Sequence, residues 1–383
     1  MKVLSKTYQD NLALIRQGVA CTNDKPITCY SGSAPGAVLM GMTVAEFVEK
    51  PLEGVLACIE MYKRLQEEAG PLHCLNSTAT VMNMVVGVTM VWYSKALIPG
   101  KDIPEYSVWQ VKEQKLIGPE AYDEILQMGY NNFIQQKILP RIIDPEYLGY
   151  YLQYAQEHGA EVEQAYLDLG IPILQNGLGT MVPFEQLCGM RSMNQFYMDC
   201  YKRMDKLKEV SDFIFKETYA QTEAMLTQVE DDPAWHGVWC GGWRTASAML
   251  NPKIWEALVW PYMKASAEQV IRHGKLPIMH LDQDWNRDIE RFSELPAGKL
   301  VLNTDGMTDL PRARKLLPGY ALMGDVPATL LTTGTPEQVS DYVKRLIDEV
   351  GPQGLFVCPG CDCPVGAKFE NLVAMVKTTN EWK

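Results

Sequence analysis

Short apolar runs recur along this chain, and segments of helical periodicity separate most of them. No other feature limits the available folds as much. The runs are residues 27–30, 72–75, 171–177, 237–244, 276–282, 299–305, 320–325 and 354–357. Apolar strands of this kind are buried on both faces, as happens when helices cover a parallel sheet. Eight such units predict an α/β fold of the closed (β/α)8 type, a TIM barrel. A doubly wound open sheet is the alternative. That fold usually carries a G-x-G-x-x-G turn after its first strand, and none follows Tyr30.

Helix signals punctuate the strands. Residues 4–18 read as an amphipathic N-terminal helix, and 53–68 as another that closes at Gly70. A long helical pattern covers 194–227. Asn251-Pro252 opens a helix that Gly274 closes, and shorter helices are expected at 286–294 and 310–316. Thr335-Pro336 with Gln338 has the form of a capping box. Between 94 and 170 the pattern is interrupted by Pro99, Pro104 and Pro119, with helical stretches at 120–126 and 147–156. The expectation is one barrel domain over residues 1–383, with N-terminal helical additions and a helical insertion or excursion near 94–170.

Composition excludes several classes. A chain of 383 residues with 21% charged and 47% hydrophobic side chains is globular and large enough for a substantial core. A net charge of −12 argues against nucleic acid as a partner, which calls for a basic face. The most apolar window, 81–92, is too short to span a bilayer. Residues 1–20 contain Lys2, Lys6, Asp10 and Arg16 in place of a leader's apolar core. Ten cysteines without the spacing of a small disulfide scaffold point to reduced thiols and a cytoplasmic protein. The twenty methionines are read as core filling. A homo-oligomer is left open.

In such a barrel, function gathers at the C-terminal ends of the strands. Here those ends carry Asn176, Trp243, Arg244, His280, Asp282, Asp305, Asp325 and Cys361. Each has a plain structural reading: Asp305 and Asp325 as helix caps, Arg244 in an ion pair, Trp243 and Trp285 in packing, His280 as a satisfied buried histidine. His280 and Asp282 sit two apart on one strand, and Cys361 lies in the Pro-Gly-Cys turn that follows the last. Together they form a nitrogen, oxygen and sulfur set suited to zinc, with one position left for substrate. Asp284 would share their face if the strand ran that far, and is the substitute for Asp282. Tyr30, Trp243 and Trp285 are candidate pocket walls, and Asn176, Glu185, Arg244, Asp305 and Asp325 candidate anchors. Catalytic roles are expected of Asp282, Asp305 and Asp325. Cys358 and Cys361 form a lone C-x-x-C, which leaves a redox dithiol as a minor alternative. No role is assigned to Cys363.

The runs Pro359-Gly-Cys361-Asp-Cys-Pro364 and Glu370–Val376 resemble the C-terminal signature of the uroporphyrinogen decarboxylase superfamily. So do Gly324-Asp-Val-Pro-Ala328, Gly334-Thr-Pro-Glu337 and Pro277-Ile-Met-His280. The resemblance covers residues 235–376 well and the first half loosely. It implies the same (β/α)8 barrel. True decarboxylases of this superfamily carry an arginine-rich loop after the first strand, and residues 31–36 hold no arginine. A second branch consists of zinc methyltransferases that use a His-x-Cys pair and a distant Pro-Gly-Cys. His280 and Cys361 match that pattern, and Asp282 stands where the middle cysteine would be.

Replacing a thiolate by a carboxylate hardens the zinc and suits an ether oxygen. The chain thus looks most like the first methyltransferase of anaerobic aryl-ether O-demethylase systems, of the veratrol or vanillate type. That resemblance implies transfer of a methyl group from a methoxylated aromatic to cobalt(I) of a separate corrinoid protein. No Asp-x-His-x-x-Gly cobalamin fingerprint occurs in the chain, so the cofactor would arrive on the partner. Another methyl donor, a thiol acceptor, a decarboxylase and a metal-free thiol-binding protein are the alternatives.

Overall fold

The computed structural model describes residues 4–32, 34–77 and 81–383, leaving out the side chains of 81–84, 88 and 176–178. The strands are β1 (Ile27–Tyr30), β2 (Cys74–Ser77), β3 (Lys95–Leu97), β4 (Gln110–Lys112), β5 (Ile173–Met181), β6 (Gly237–Gly242), β7 (Leu276–Leu281), β8 (Val301–Thr304), β9 (Ala321–Val326) and β10 (Leu355–Pro359). Eight close into a barrel in the order β1-β10-β9-β8-β7-β6-β5-β2, every pair parallel. β3 and β4 form a separate antiparallel ribbon. All eight apolar runs of the sequence are barrel strands.

Period-two alternation divides each strand between two cores. Ile27, Cys29, Cys74, Leu174, Ile278, Val301, Ala321, Met323, Phe356 and Cys358 pack together as the barrel interior. Val238, Cys240, Met279, Leu281, Leu302, Leu322, Leu355 and Val357 belong instead to the core beneath the helices. Full burial of each large apolar side chain contributes roughly 1.5–3 kcal/mol. Register puts Cys29 opposite Cys74 on one side and Thr28 opposite Val357 on the other. The thiols of Cys29, Cys74 and Cys358 therefore share a layer of the interior.

The helices follow their punctuation closely. Thr335 and Gln338 make the reciprocal capping bonds of helix Pro336–Val350, which packs on helix Phe369–Glu381. Two expected helices are divided. The 194–227 pattern becomes Met193–Lys202 and Met204–Val229, broken where Arg203 takes φ −141°; its guanidinium still meets buried Asp199, one turn back, at 3.4 Å. The helix opened by Asn251 becomes Pro252–Leu258 and Trp260–Arg272. Pro261 explains that break, since it has no N–H to donate and its ring crowds the preceding turn. The segment at 286–294 holds only a 3-10 turn, Ile289–Glu294.

Between β2 and β5 the chain runs through helix Val81–Trp92, the β3–β4 ribbon, several short helices and the 25-residue helix Pro145–Leu169. Asp144 caps that last helix and Gly170, in the left-handed region at φ 73°, ends it. Among the described residues no helix is long and apolar enough to cross a membrane.

Candidate metal centre

His280 lies on the inward face of β7, two residues beyond Ile278 of the barrel interior. Its neighbour across β6 is Gly241, where a Cβ would come within 2.3 Å of the His280 carbonyl. Glycine is what lets the two strands approach here. β7 ends at Leu281, and Asp282 begins the turn with its carboxylate 3.1 Å from His280 Nε2. Cys361, just past β10, brings its Sγ to 3.8 Å from the same nitrogen. One ligand atom from each residue falls within 4.8 Å of the others. His280 and Asp282 are half-buried and Cys361 is exposed, so the cluster opens to solvent on one side.

The electrostatics are mutual. Burial by itself lowers the His280 pKa, but the Asp282 carboxylate and Cys361 outweigh it and hold it well above the usual imidazole value. Burial pushes Asp282 up, and the facing imidazole brings it below its ordinary value. Burial raises the Cys361 thiol, with His280 opposing. A cation placed between them would take over the role that the imidazolium proton plays, drawing both acidic groups into their charged forms.

The other ring nitrogen of His280 is also fixed. Nδ1 lies 3.0 Å from Asn303 Oδ1 on β8. Asn76 on β2 donates its amide to the same oxygen at 3.3 Å, and Gln175 on β5 donates to Asn76 Oδ1 at 2.7 Å. The Asn303 amide donates to the Met323 carbonyl at 3.5 Å, which orients Oδ1 toward His280. With an acceptor facing it, Nδ1 keeps its proton, so a metal would replace the second proton, the one at Nε2. A branch of this network runs from Asn76 to Ser31 Oγ and on to Asp362 Oδ1, the latter at 3.1 Å. His280, Asp282 and Cys361 could hold a zinc ion, a three-donor set of the kind that leaves room for a substrate ligand.

An aromatic wall starts beside the cluster. The Trp239 ring on β6 stands 5.8 Å from that of His280. Trp92 meets Trp239 edge-on at 6.1 Å, Trp243 at 5.1 Å and Trp109 at 6.4 Å. All four tryptophans are half-buried.

Residues 178–382 match the family described as uroporphyrinogen decarboxylase (URO-D). The chain belongs to the uroporphyrinogen decarboxylase family. A uroporphyrinogen decarboxylase from Anaeromyxobacter dehalogenans (strain 2CP-C) is 27% identical over 165 residues, covering 42% of this chain and 46% of that protein. The match thus spans under half the length of that relative. A methyltransferase from Methanosarcina mazei shares the fold with a TM-score of 0.62 over 99% of both chains, at 13% identity.

Within this family member the expected site residues separate. His280, Asp282 and Cys361 come together. Asp305 is their neighbour, and its carboxylate accepts from the Gln283 and Met307 amides at 2.7 and 3.1 Å, so it also braces the turn after β7. Asp284 is elsewhere: the strand stops at Leu281, Gln283 takes φ 67°, and Asp284 Oδ1 accepts from the Asn286 amide. Asp325 turns outward, where Tyr342 donates to it at 2.9 Å in a cleft of about 250 Å³ shared with Arg345 and Glu349. Asn176 lies on β5, and its side chain is outside the described residues.

Burial corrects four further assignments, Tyr30, Trp285, Glu185 and Arg244. Tyr30 faces outward from β1, fully buried against Tyr62 at 5.3 Å, and is no pocket wall. Trp285 is fully buried on Trp255 and Phe292, with Nε1 donating to the Asp282 carbonyl at 2.8 Å; it supports the turn from behind. Glu185 and Arg244 are a buried ion pair, the plain structural reading of Arg244, and not substrate anchors. Glu185 Oε1 accepts from the Arg244 and Thr245 amides, and burial pushes its pKa up to about 7. Arg244 stacks over Trp243 at 4.3 Å and reaches Ser94, so the pair holds the aromatic wall in place. Cys358 points into the barrel interior, away from a dithiol with Cys361. Sequence reading missed Trp239, Trp92, Trp109, Asn303, Asn76, Gln175, Ser31 and Asp362. For Trp239 the signal was there, since alternation from Val238 and Cys240 places it inward.

Proposed function

We propose that this chain is a zinc-dependent methyltransferase that demethylates methoxylated aromatic compounds and passes the methyl group to cobalt(I) of a separate corrinoid protein. The observation that carries the reading is the His280, Asp282 and Cys361 donor set at an open barrel mouth, with the His280 tautomer held by Asn303. Zinc there would supply Lewis acidity to the ether oxygen as the methyl carbon leaves it. The chain's own work is to bind and orient: Asn303 aims the imidazole, Asp305 holds the turn carrying Asp282, and the Trp239 and Trp92 rings flank the approach. The methyl group moves from oxygen to the partner's cobalt, and the aromatic product departs as a phenolate. Residues 31–36 hold no arginine to grip a porphyrinogen's carboxylates, which favours methyl transfer over decarboxylation.

The test uses full-length protein purified without chelator, with reduced corrinoid protein and a panel of methoxyarenes, methanol, methylamines and methylthiols. The expected result is about one zinc per chain and methylated cobalt from methoxyarenes alone. His280→Ala and Cys361→Ala should lose metal and activity together. Carbon dioxide release from a carboxylated substrate without corrinoid protein would replace this reading with a decarboxylase.

A further inference from the structure

We infer that Glu185 is a positioning residue for the barrel mouth: its buried carboxylate anchors the loop after β6, and that loop holds both the turn bearing Asp282 and the tryptophan wall. This rests on the metal reading of the cluster. Helix Pro183–Arg191 follows β5 directly, and Glu185 lies in its first turn with no exposed surface. The carboxylate leaves its own helix and crosses to the end of β6. Gly242 permits this, because a Cβ there would come within 2.3 Å of Glu185 Oε1. That one oxygen accepts from the Arg244 amide, from the Thr245 amide at 2.9 Å and from the Thr245 hydroxyl at 3.1 Å. Its partners are thus in the loop, and Glu185 acts on the cluster only through them.

The loop passes the constraint on. The Ala248 amide and Ser247 Oγ both donate to the Asp284 carbonyl, at 3.2 and 3.4 Å. Arg287 donates to the Leu250 carbonyl at 2.7 Å. Between Asp284 and Arg287, Trp285 holds the Asp282 carbonyl through Nε1 at 2.8 Å. Residues 247–250 are therefore tied at several points to the turn that starts at Asp282. On the other side, the Arg244 guanidinium lies 3.6 Å from Glu185 Oε2, covers Trp243 at 4.3 Å and donates to Ser94, two residues past Trp92. Stability alone does not account for a carboxylate here. Burial outweighs the guanidinium and the loop donors and pushes the Glu185 pKa up to about 7. Glu185 Oε2 and Arg244 Nη1 have no hydrogen-bond partner among the described residues. A neutral group of the same shape would cost less. The shared oxygen Oε1 fixes the loop, and the charge keeps Arg244 over the wall.

Two variants of the full-length protein separate these roles. Glu185→Gln keeps an acceptor oxygen for the loop but turns an amide N–H toward the guanidinium, and Glu185→Ala removes both functions. In competition against a chromophoric chelator, zinc affinity should stay within about twofold of wild type for Glu185→Gln and fall about tenfold for Glu185→Ala. Near-ultraviolet circular dichroism of the zinc-loaded wild type should titrate around pH 7, as a proton on Oε2 releases Arg244 from Trp243. Glu185→Gln should show the low-pH spectrum throughout. Cys188 and Tyr197 also face Glu185, and burial holds both above their ordinary values, so they stay protonated across this range. Because the folded chain holds the Glu185 proton more tightly than the unfolded chain does, its contribution to stability is complete below pH 4.5 and is lost as pH rises through 7. Urea unfolding at pH 8 should therefore find Glu185→Gln no less stable than wild type. Unchanged zinc affinity in Glu185→Ala, or a pH-dependent spectrum that survives in Glu185→Gln, would overturn the inference. So would a Glu185→Gln protein that loses stability and zinc together, which marks a purely structural role. Should Glu185→Ala not fold, Ser247→Ala, which cuts one bond from the loop to Asp284, takes its place under the same criterion. A wild type that takes up no zinc would remove the metal reading instead, and the titration would then decide the role of Glu185 in the wall.

Discussion

Asn303 has one oxygen facing two donors, and its consequence reaches the metal. If it sets the His280 tautomer, Asn303→Ala should weaken zinc binding by about 10–100-fold, while Asn303→Asp, which keeps an acceptor, should retain it. Competition against a chromophoric chelator measures this, and equal affinities for wild type and Asn303→Ala would remove Asn303 from the site. Asp282→Cys tests the hardness of the donor set. It should lower ether demethylation more than zinc content, read as rate per bound zinc at fixed cobalt(I) protein. Equal rates per zinc would mean that the carboxylate does not tune the reaction. At this scale His280, Asp282 and Cys361 were legible because residue type and spacing coincide at two strand ends. Tyr30 was misread, and Trp285 left between wall and packing, because an aromatic near a strand end does not reveal which way it faces.

Strand β9 carries a prediction about pH. Burial raises the Asp325 carboxyl from its ordinary 3.8 to about 6, with the Tyr342 bond only partly opposing it. The folded chain therefore holds this proton more tightly than the unfolded chain does. Its contribution to stability is complete below pH 3.8 and is lost as pH rises through 6. The penalty at neutral pH approaches about 3 kcal/mol. Asp325→Asn should stabilise the protein by about 1–3 kcal/mol at pH 7.5 and by almost nothing near pH 4. Urea unfolding of both proteins across that range reads the difference, and a constant difference would refute the buried, outward Asp325. Zinc content should not change, because Asp325 faces Tyr342 and not the cluster. Elements themselves were well anticipated where caps and prolines mark them, as at Thr335 and Asn251. The interruption at Arg203 was not: that residue leaves the helical region at φ −141°, and neither glycine nor proline marks it in the sequence.

For the whole molecule, the cluster joins the turn after β7 to the turn after β10, with β8 and β9 between them. Metal bound to both turns stabilises the closed barrel by mass action. Zinc at a hundredfold excess over its dissociation constant should add about 2.7 kcal/mol, seen as a higher melting temperature that chelator reverses. His280→Ala should abolish that response while its metal-free form melts near the metal-free wild type. An identical melting curve with zinc and with chelator would show that no site spans the two turns.

Eight apolar runs separated by helical stretches were enough to predict the barrel, because each run can be buried only between an interior layer and covering helices. Two strand-end motifs were enough to propose the ligands, because a closed barrel brings remote strand ends to one rim. What tertiary structure alone decided was facing and partnership. The end of β7 at Leu281 and the turn at Gln283 placed Asp282 at the cluster and Asp284 outside it. Packing buried Glu185 against Arg244 and turned Asp325 toward Tyr342. The tryptophan wall was assembled from β6, the end of helix Val81–Trp92 and the residue before β4. Sequence periodicity ranks positions along one element, and it carries no information about which elements meet across a barrel mouth.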